Sequence, residues 1–255
     1  MASRFHSDER QVPHYQMGRV FLVGDAAHVH SPAGAQGMNT GMQDAANLSC
    51  KLAAAVQGWA PDGLLDSYHS ERHPVGRMVM RSSSAVTRLV MVKPWVLRAA
   101  RNVAGGPALR LGAIARRVAG SVSGVGIHYP RSKGTHAPAG TRAEDMLLAD
   151  DGRCSTRLYE MLRKGNFVLL VRAGLTPAGV TPANLRAAAP WATRVQVANP
   201  AAPQHPIMLV RPDGYIAWAT DTSDAQRLDE QIQAALSQWC GTVTGYSAEA
   251  TPSAV

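Results

Sequence analysis

Arg19-Val20-Phe21-Leu22-Val23-Gly24-Asp25-Ala26-Ala27-His28, running on through Pro32 and Gly37-Met38-Asn39-Thr40-Gly41 to Asp44, constrains this chain more than any other stretch. The apolar run Val20 to Val23, bounded by a glycine, reads as a short strand buried on both faces. Pro32, Gly34 and Gly37 then make a loop that permits close backbone approach, and a helical pattern begins. Met38, Met42, Ala45, Ser49, Leu52 and Val56 recur at helical spacing as its apolar face, and Gly58 stands where a left-handed C-terminal cap belongs. Strand, glycine-rich loop and helix N-terminus thus follow one another.

The first amides of a helix have no partner within it and carry a fractional positive charge, so they attract an anion or a developing negative charge. Asp25, at the carboxyl end of the strand, cannot hold phosphate but can accept hydrogen bonds from sugar or sugar-alcohol hydroxyls. A ligand with a polyol at one end and an electron-poor ring at the other would satisfy both halves.

Gly24-Asp25-Ala26-Ala27-His28, then Pro32, Gly34-Ala35-Gln36-Gly37-Met38-Asn39 and Asp44-Ala45-Ala46-Asn47-Leu48, resembles the second flavin motif of the class A FAD-dependent aromatic hydroxylases. This is the NAD(P)H-using monooxygenase family of para-hydroxybenzoate and phenol hydroxylases. The resemblance continues through Leu65-Asp66-Ser67-Tyr68-His69-Ser70-Glu71-Arg72-His73-Pro74. It implies that Gly24 and Asp25 lie at the FAD ribityl chain, that Pro32 lies beside the isoalloxazine ring near the substrate, and that Gly37, Met38 and Asn39 face the pyrimidine edge of the flavin. Two-electron reduction places negative charge at that edge, which a helix N-terminus stabilises by about 0.3 to 2 kcal/mol. The resemblance further implies FAD as cofactor, NADH or NADPH as transient reductant and a small aromatic or polyketide-like substrate. No side chain here is expected to act as a nucleophile, since the cofactor carries the oxygen chemistry.

The G-x-G-x-x-G turn that holds the ADP pyrophosphate in this family does not occur in the sequence, nor does the family's central Asp-Gly motif. The expectation is therefore the C-terminal portion of such an enzyme, from a truncated gene, a split protein or a misplaced start codon, which alone binds FAD weakly or not at all. The competing expectation is a non-catalytic, flavoprotein-derived subunit or interaction protein.

Between Glu71 and Glu144 there is no acidic residue, while ten arginines and lysines from Arg72 to Arg117 accumulate, within a net charge of +8. No helix-turn-helix, zinc-finger or RNA-binding signature accompanies them, so no nucleic-acid partner is expected; a solvated or domain-facing helical surface accounts for the charge. With no apolar run of about 18 residues no membrane span is expected, and the polar N-terminus with His6, Asp8 and Glu9 points to a cytoplasmic protein. Cys50, Cys154 and Cys240 are too scattered for a disulfide framework or a zinc site. His69 with His73, and His28 with His30, lack a third ligand in the right order, so no metal is expected.

Residues 64 to 91 read as a long helix kinked at Pro74, with Leu64, Leu65, Tyr68, Val75, Val79, Val86, Leu89 and Val90 as its apolar positions. Lys93-Pro94 ends it, and shorter helices at Trp95 to Val103 and Pro107 to Val118 are expected on either side of Gly105-Gly106. Beyond a glycine- and serine-bearing linker the pattern changes to strands at Met146 to Leu148, Phe167 to Val171, Arg194 to Val197, Ile207 to Val210 and Tyr215 to Trp218. Helices are expected from Ser155 to Arg163, around Pro182 to Ala189, and after Ser223, which with Gln226 makes a capping box. That order, with Pro206 before the Pro212-Asp213-Gly214 hairpin, resembles a thioredoxin-like domain. Arg172-Ala173-Gly174-Leu175-Thr176 lacks the cysteine pair of a working thioredoxin, so the domain is expected to be redox-inert.

The fold class expected is α/β: the C-terminal part of an FAD-binding module, built of strand, loop, helix and further long helices, followed by a thioredoxin-like α/β domain. The divisions are 1–121 for the first, 122–133 for the linker, 134–246 for the second and 247–255 for a disordered tail. A homodimer, or contact with a missing N-terminal half, is expected of the helical surfaces.

Overall fold

The computed structural model describes residues 8–31, 36–110, 112–131, 135–149, 156–172, 191, 193–202 and 205–241. Pro32, Gly34, Cys154, the expected helix around Pro182 to Ala189 and the expected tail lie outside the described residues.

Two small antiparallel ladders open the fold. β1 (Arg10–Gln11) pairs with β4 (His28–Val29), and β2 (Gln16–Met17) pairs with β3 (Val20–Phe21). The apolar run Val20 to Val23 is therefore not a strand buried on both faces: only two of its residues pair, and Val20 is 64% exposed. A strand is covered on both faces only where a sheet continues beside it and helices lie above and below; here β3 has the single hairpin neighbour β2. Phe21, Leu22 and Val23 instead lean on a small core of Tyr15, Ala27, Leu48 and Tyr68.

α1 (Gly37–Val56) has the expected extent, and its end is a Schellman cap. Gly58 adopts φ +74°, its N–H donates to the Ala55 carbonyl, and the Trp59 N–H donates to the Ala54 carbonyl. Its inward face is not the expected one. Met38, Met42 and Val56 are 78, 57 and 87% exposed, while Thr40, Asp44, Asn47, Leu48, Lys51 and Ala54 are buried. Charged partners on the next helix reverse the assignment, because a buried polar group that is fully paired is tolerated where an unpaired one is not.

α2 (Asp66–Val90) runs through Pro74 as one helix, burying Tyr68, Val75 and Val79 as expected but leaving Val86, Leu89 and Val90 at the surface. α3 (Trp95–Arg110) continues across Gly105-Gly106 and Pro107 instead of dividing there; the cost of about 1 kcal/mol per helical glycine biases against a helix without stopping one. α4 (Gly112–Ser123) follows. The segment after it is not a bare connection, since Ile127 and Tyr129 are buried with Val75, Val79 and Tyr215.

The second half is a five-stranded sheet of β5 (Leu148–Ala149), β6 (Phe167–Leu170), β7 (Val195–Pro200), β8 (Ile207–Val210) and β9 (Ile216–Thr220), in the spatial order β5-β7-β6-β8-β9. β6 and β7 are parallel, and the other pairs are antiparallel. Period-two alternation divides its core: Phe167, Leu169, Ile207 and Leu209 face α6 (Ala225–Cys240), while Val168, Leu170, Met208 and Val210 face α5 (Leu158–Leu162). A bulge opposite Leu209 and Val210 places Ala217 and Trp218 together on the α6 side. The α6 cap is Asp224, one residue later than expected, and its carboxylate accepts from the Gln226 and Arg227 amides. An ionised cap suits the positive end of a helix better than the Ser223 hydroxyl would.

The two halves meet at the ends of α1 and α6. Gly241, at φ +80°, presses on the Trp59 backbone so closely that a Cβ there would lie 2.4 Å from the Trp59 carbonyl oxygen. Arg194 lies 4.8 Å over the Trp59 ring and donates to the Cys240 carbonyl at 2.9 Å, and the Trp191 indole donates to the Gly241 carbonyl at 2.9 Å.

Leu209, fully buried at the centre of the sheet, sets the expected scale of core damage. Leu209→Ala is expected to cost about 2 to 5 kcal/mol, read as a lower urea midpoint with an unchanged slope.

Candidate functional site

The Gly24–Ala26 turn is a single 3-10 turn at the end of the β2–β3 hairpin, closed by the Ala27 N–H donating to the Gly24 carbonyl. Gly24 sits at φ +58°, and its backbone packs on Gly41 of α1: a Cβ on Gly24 would lie 3.5 Å from the Gly41 Cα, and one on Gly41 3.3 Å from the Gly24 Cα. Two facing glycines let the loop lie directly on the helix. The Tyr68 hydroxyl donates to the Leu22 carbonyl and the Val12 N–H to the Ala27 carbonyl, fixing the loop from both ends.

Asp25 follows Gly24 and is exposed. Gly37, Met38 and Asn39 open α1 one turn before Gly41, and Gln36 gives them no side-chain cap. Gly37 is against the His30 ring, where a Cβ would lie 3.2 Å from the ring atoms, and His30 stacks on His28 with an interplanar angle of 8°. An exposed carboxylate and an uncapped helix start are thus held on one loop-and-helix unit. Beside Asn39 a cleft of about 370 Å³ opens between the halves, bordered by Met42, Gln43, Arg142 and Tyr215.

What holds this unit was not foreseen. Asp44, buried on α1, accepts the Gly24 N–H at 3.3 Å and meets His28 Nε2 at 2.7 Å through Oδ2, and accepts Arg72 Nε at 2.5 Å through Oδ1. Arg72, fully buried, donates further to the Thr40 carbonyl and the Tyr129 hydroxyl, each at 3.1 Å. Burial works against the Arg72 charge, but Tyr129 and Asp44 outweigh it and raise the guanidinium pKa.

A second buried centre lies further along the same helices. Glu71 receives Arg211 through two bonds of 2.7 and 3.0 Å and Lys51 at 2.8 Å, and Arg211 also grips Asp213 at 2.5 Å. Burial alone would raise the Glu71 carboxyl; Arg211 and Lys51 overcome it and hold it at about 2. Burial lowers the Lys51 pKa against the pull of Glu71. It pushes the Cys50 thiol up to about 12, which leaves that cysteine on α1 without nucleophilic character at neutral pH.

The residue spacing carries a faint sign of these centres. Thr40, Asp44, Asn47 and Lys51 recur at four, three and four residues, a polar stripe that reads as solvated until α2 supplies its partners. Among the described residues no three histidines, cysteines or carboxylates converge on a common point, and no described helix is long and apolar enough to cross a membrane.

Residues 1–83 match the FAD binding domain family, and residues 136–243 match the family described as aromatic-ring hydroxylase, C-terminal. An uncharacterized aromatic compound monooxygenase of Bacillus subtilis, YhjG, is 40% identical over 93% of this chain and 47% of its own length. Rifampicin monooxygenase of Streptomyces venezuelae is 37% identical over 95% of this chain and 46% of its own length. The structure of OxyS anhydrotetracycline hydroxylase from Streptomyces rimosus superposes with a TM-score of 0.78 at 33% identity, covering 92% of this chain and 47% of that one. The chain spans about half the length of the relatives it matches.

Glu71→Gln leaves Arg211 and Lys51 facing a neutral amide and is expected to cost about 3 to 5 kcal/mol at pH 7, measured by urea denaturation. The Glu71 pKa is depressed in the fold from an ordinary 4.5 to about 2. Its stabilisation is therefore complete above pH 4.5 and lost as pH falls through 2. That part of the acid sensitivity should disappear in Glu71→Gln.

Proposed function

The chain belongs to the FAD-dependent aromatic-ring hydroxylase family, and on that premise we propose that it forms the flavin-side helices and C-terminal domain of a monooxygenase hydroxylating an aromatic or polyketide-like substrate with NADH or NADPH and oxygen. FAD is the cofactor. The observation that carries the reading is the pairing of exposed Asp25 with the uncapped start of α1, joined through the Gly24–Gly41 contact.

Those residues fit the cofactor from both ends. Asp25 would accept hydrogen bonds from the ribityl hydroxyls, with Gly24 giving the backbone its turn there, and the Gly37, Met38 and Asn39 amides would face the pyrimidine edge. Bound FAD supplies the redox and oxygen chemistry. The chain's own groups bind, orient and offer positive potential where charge develops. Pro32, by the family likeness, would stand beside the ring.

We further infer that a polypeptide carrying the dinucleotide-binding turn completes the site, whether it belongs to the same chain or another. Support comes from the share of the relatives that the chain spans, and from Met38 and Met42, apolar side chains left 78 and 57% exposed on the first turns of α1. The boundary near residues 122–133 remains our proposal, supported by family matches that end at 83 and resume at 136. The thioredoxin-like reading of the second half is supported by its strand order, first-third-second-fourth-fifth.

The test is FAD retention. The chain mixed with the complementary half of a relative should turn yellow with stoichiometric FAD, and Asp25→Ala should weaken binding roughly tenfold or more by losing charged hydrogen bonds. Equal FAD uptake by the parent and Asp25→Ala would remove Asp25 from the site.

A further inference from the structure

The Gly24 amide is the only backbone group of the turn that an α1 side chain holds among the described bonds, and the residue holding it is Asp44. Asp44 does not act alone. Its other oxygen is occupied by Arg72 Nε, and the Arg72 guanidinium continues to the Tyr129 hydroxyl. That hydroxyl also receives Asn47 Nδ2 at 3.4 Å, and the same Asn47 amide reaches Glu71 at 2.7 Å and Asp213 at 3.1 Å. Asp213 and Arg211 belong to the β8–β9 turn of the second half. The Tyr129 ring stacks on Tyr215, beside that turn, with centroids 4.0 Å apart.

We propose that this buried polar chain, from Asp213 through Asn47, Tyr129 and Arg72 to Asp44, sets the conformation of the Gly24–Asp25 turn, making the C-terminal sheet unit a positioning element for the flavin site. The proposal rests on the reading that Asp25 holds FAD, but its central claim concerns the turn itself. Asn47 and Tyr129 are the connecting residues: Asn47 bonds Glu71 and Asp213 of one centre and the Tyr129 hydroxyl, that hydroxyl accepts Arg72 of the other, and both residues are buried from water that could take their place. In a low-dielectric interior hydrogen bonds in series polarise one another, so the loss of one donor is felt by its neighbours. Removing the Tyr129 hydroxyl leaves an Arg72 N–H without its acceptor. The guanidinium then shifts relative to Asp44, and the carboxylate that holds Gly24 shifts with it.

The coupling can be read without flavin, by amide hydrogen exchange on the full chain. Tyr129→Phe and Asp213→Asn should each speed exchange at Gly24 by fivefold or more relative to the β6 amides of Phe167–Leu170, a ratio that discounts whatever global stability the lost buried bond removes. In the double variant Asp44→Asn/Tyr129→Phe, Gly24 should exchange within twofold of Asp44→Asn alone, because both changes cut the same path. The proposal is overturned if Gly24 exchange in Tyr129→Phe and Asp213→Asn remains within twofold of the parent. A uniform acceleration of all amides would also overturn it, since that reports lost stability and no positioning. Should one variant not fold, the other decides. A parallel FAD titration with the complementary half present keeps the two ideas apart: a turn that responds as expected but no FAD uptake defeats the flavin reading and upholds the coupling.

Discussion

A carboxylate sealed from water at Asp44 imposes the geometry on which the rest of the first half depends. An ionised group so placed must be surrounded by donors or lose several kcal/mol, and its donors come from three separate segments: the Gly24 backbone, the His28 ring and the Arg72 side chain. Satisfying one side chain therefore fixes the turn, β4, α1 and α2 relative to each other. The Arg72 guanidinium extends the constraint by spending its remaining bonds on α1 and on Tyr129. Apolar contacts here are modest, a cluster around Tyr15, Ala27, Leu48 and Tyr68, and the polar centre gives them a single arrangement.

Two aspartates nineteen positions apart show how environment divides labour between identical groups. Asp44 is buried with its acceptor capacity used within the fold, whereas Asp25 stands exposed on the turn that Asp44 holds. One makes its bonds inside the fold and the other faces solvent. The facing glycines at 24 and 41 assist the division, because Gly24 holds φ +58° and a Cβ on Gly41 would lie only 3.3 Å from the Gly24 Cα.

The start and end of α1, the strands β6 to β9 and the inward Leu228, Ile232 and Leu236 of α6 were legible because local pattern and tertiary surroundings agree on them. The family likeness was legible as a string of residue types from Gly24 to Pro74, within the stretch that matches the FAD binding domain family. The inner face of α1 was not. Hydrophobic periodicity favoured Met38, Met42 and Val56, and nothing local says that Asp44 and Lys51 have buried partners. Glu71 and Arg211 are 140 positions apart, so their pairing is a product of the fold that no window of sequence contains. Val20 to Val23 misled for a related reason: an apolar run states a wish to be covered and leaves open what covers it. The division of α3 at Gly105-Gly106 failed because propensity is a bias that sixteen residues of helix overcame.

The contact of Gly241 with the Trp59 carbonyl adds a second fastening between the halves, at the far end of α1 from the turn. The first is the Arg211 grip on Glu71. One fastening would leave a swivel, with the sheet free to rock like a door on α1. Two, one on α2 and one just past the end of α1, convert the door into a bracket that holds the sheet at a fixed angle to both helices.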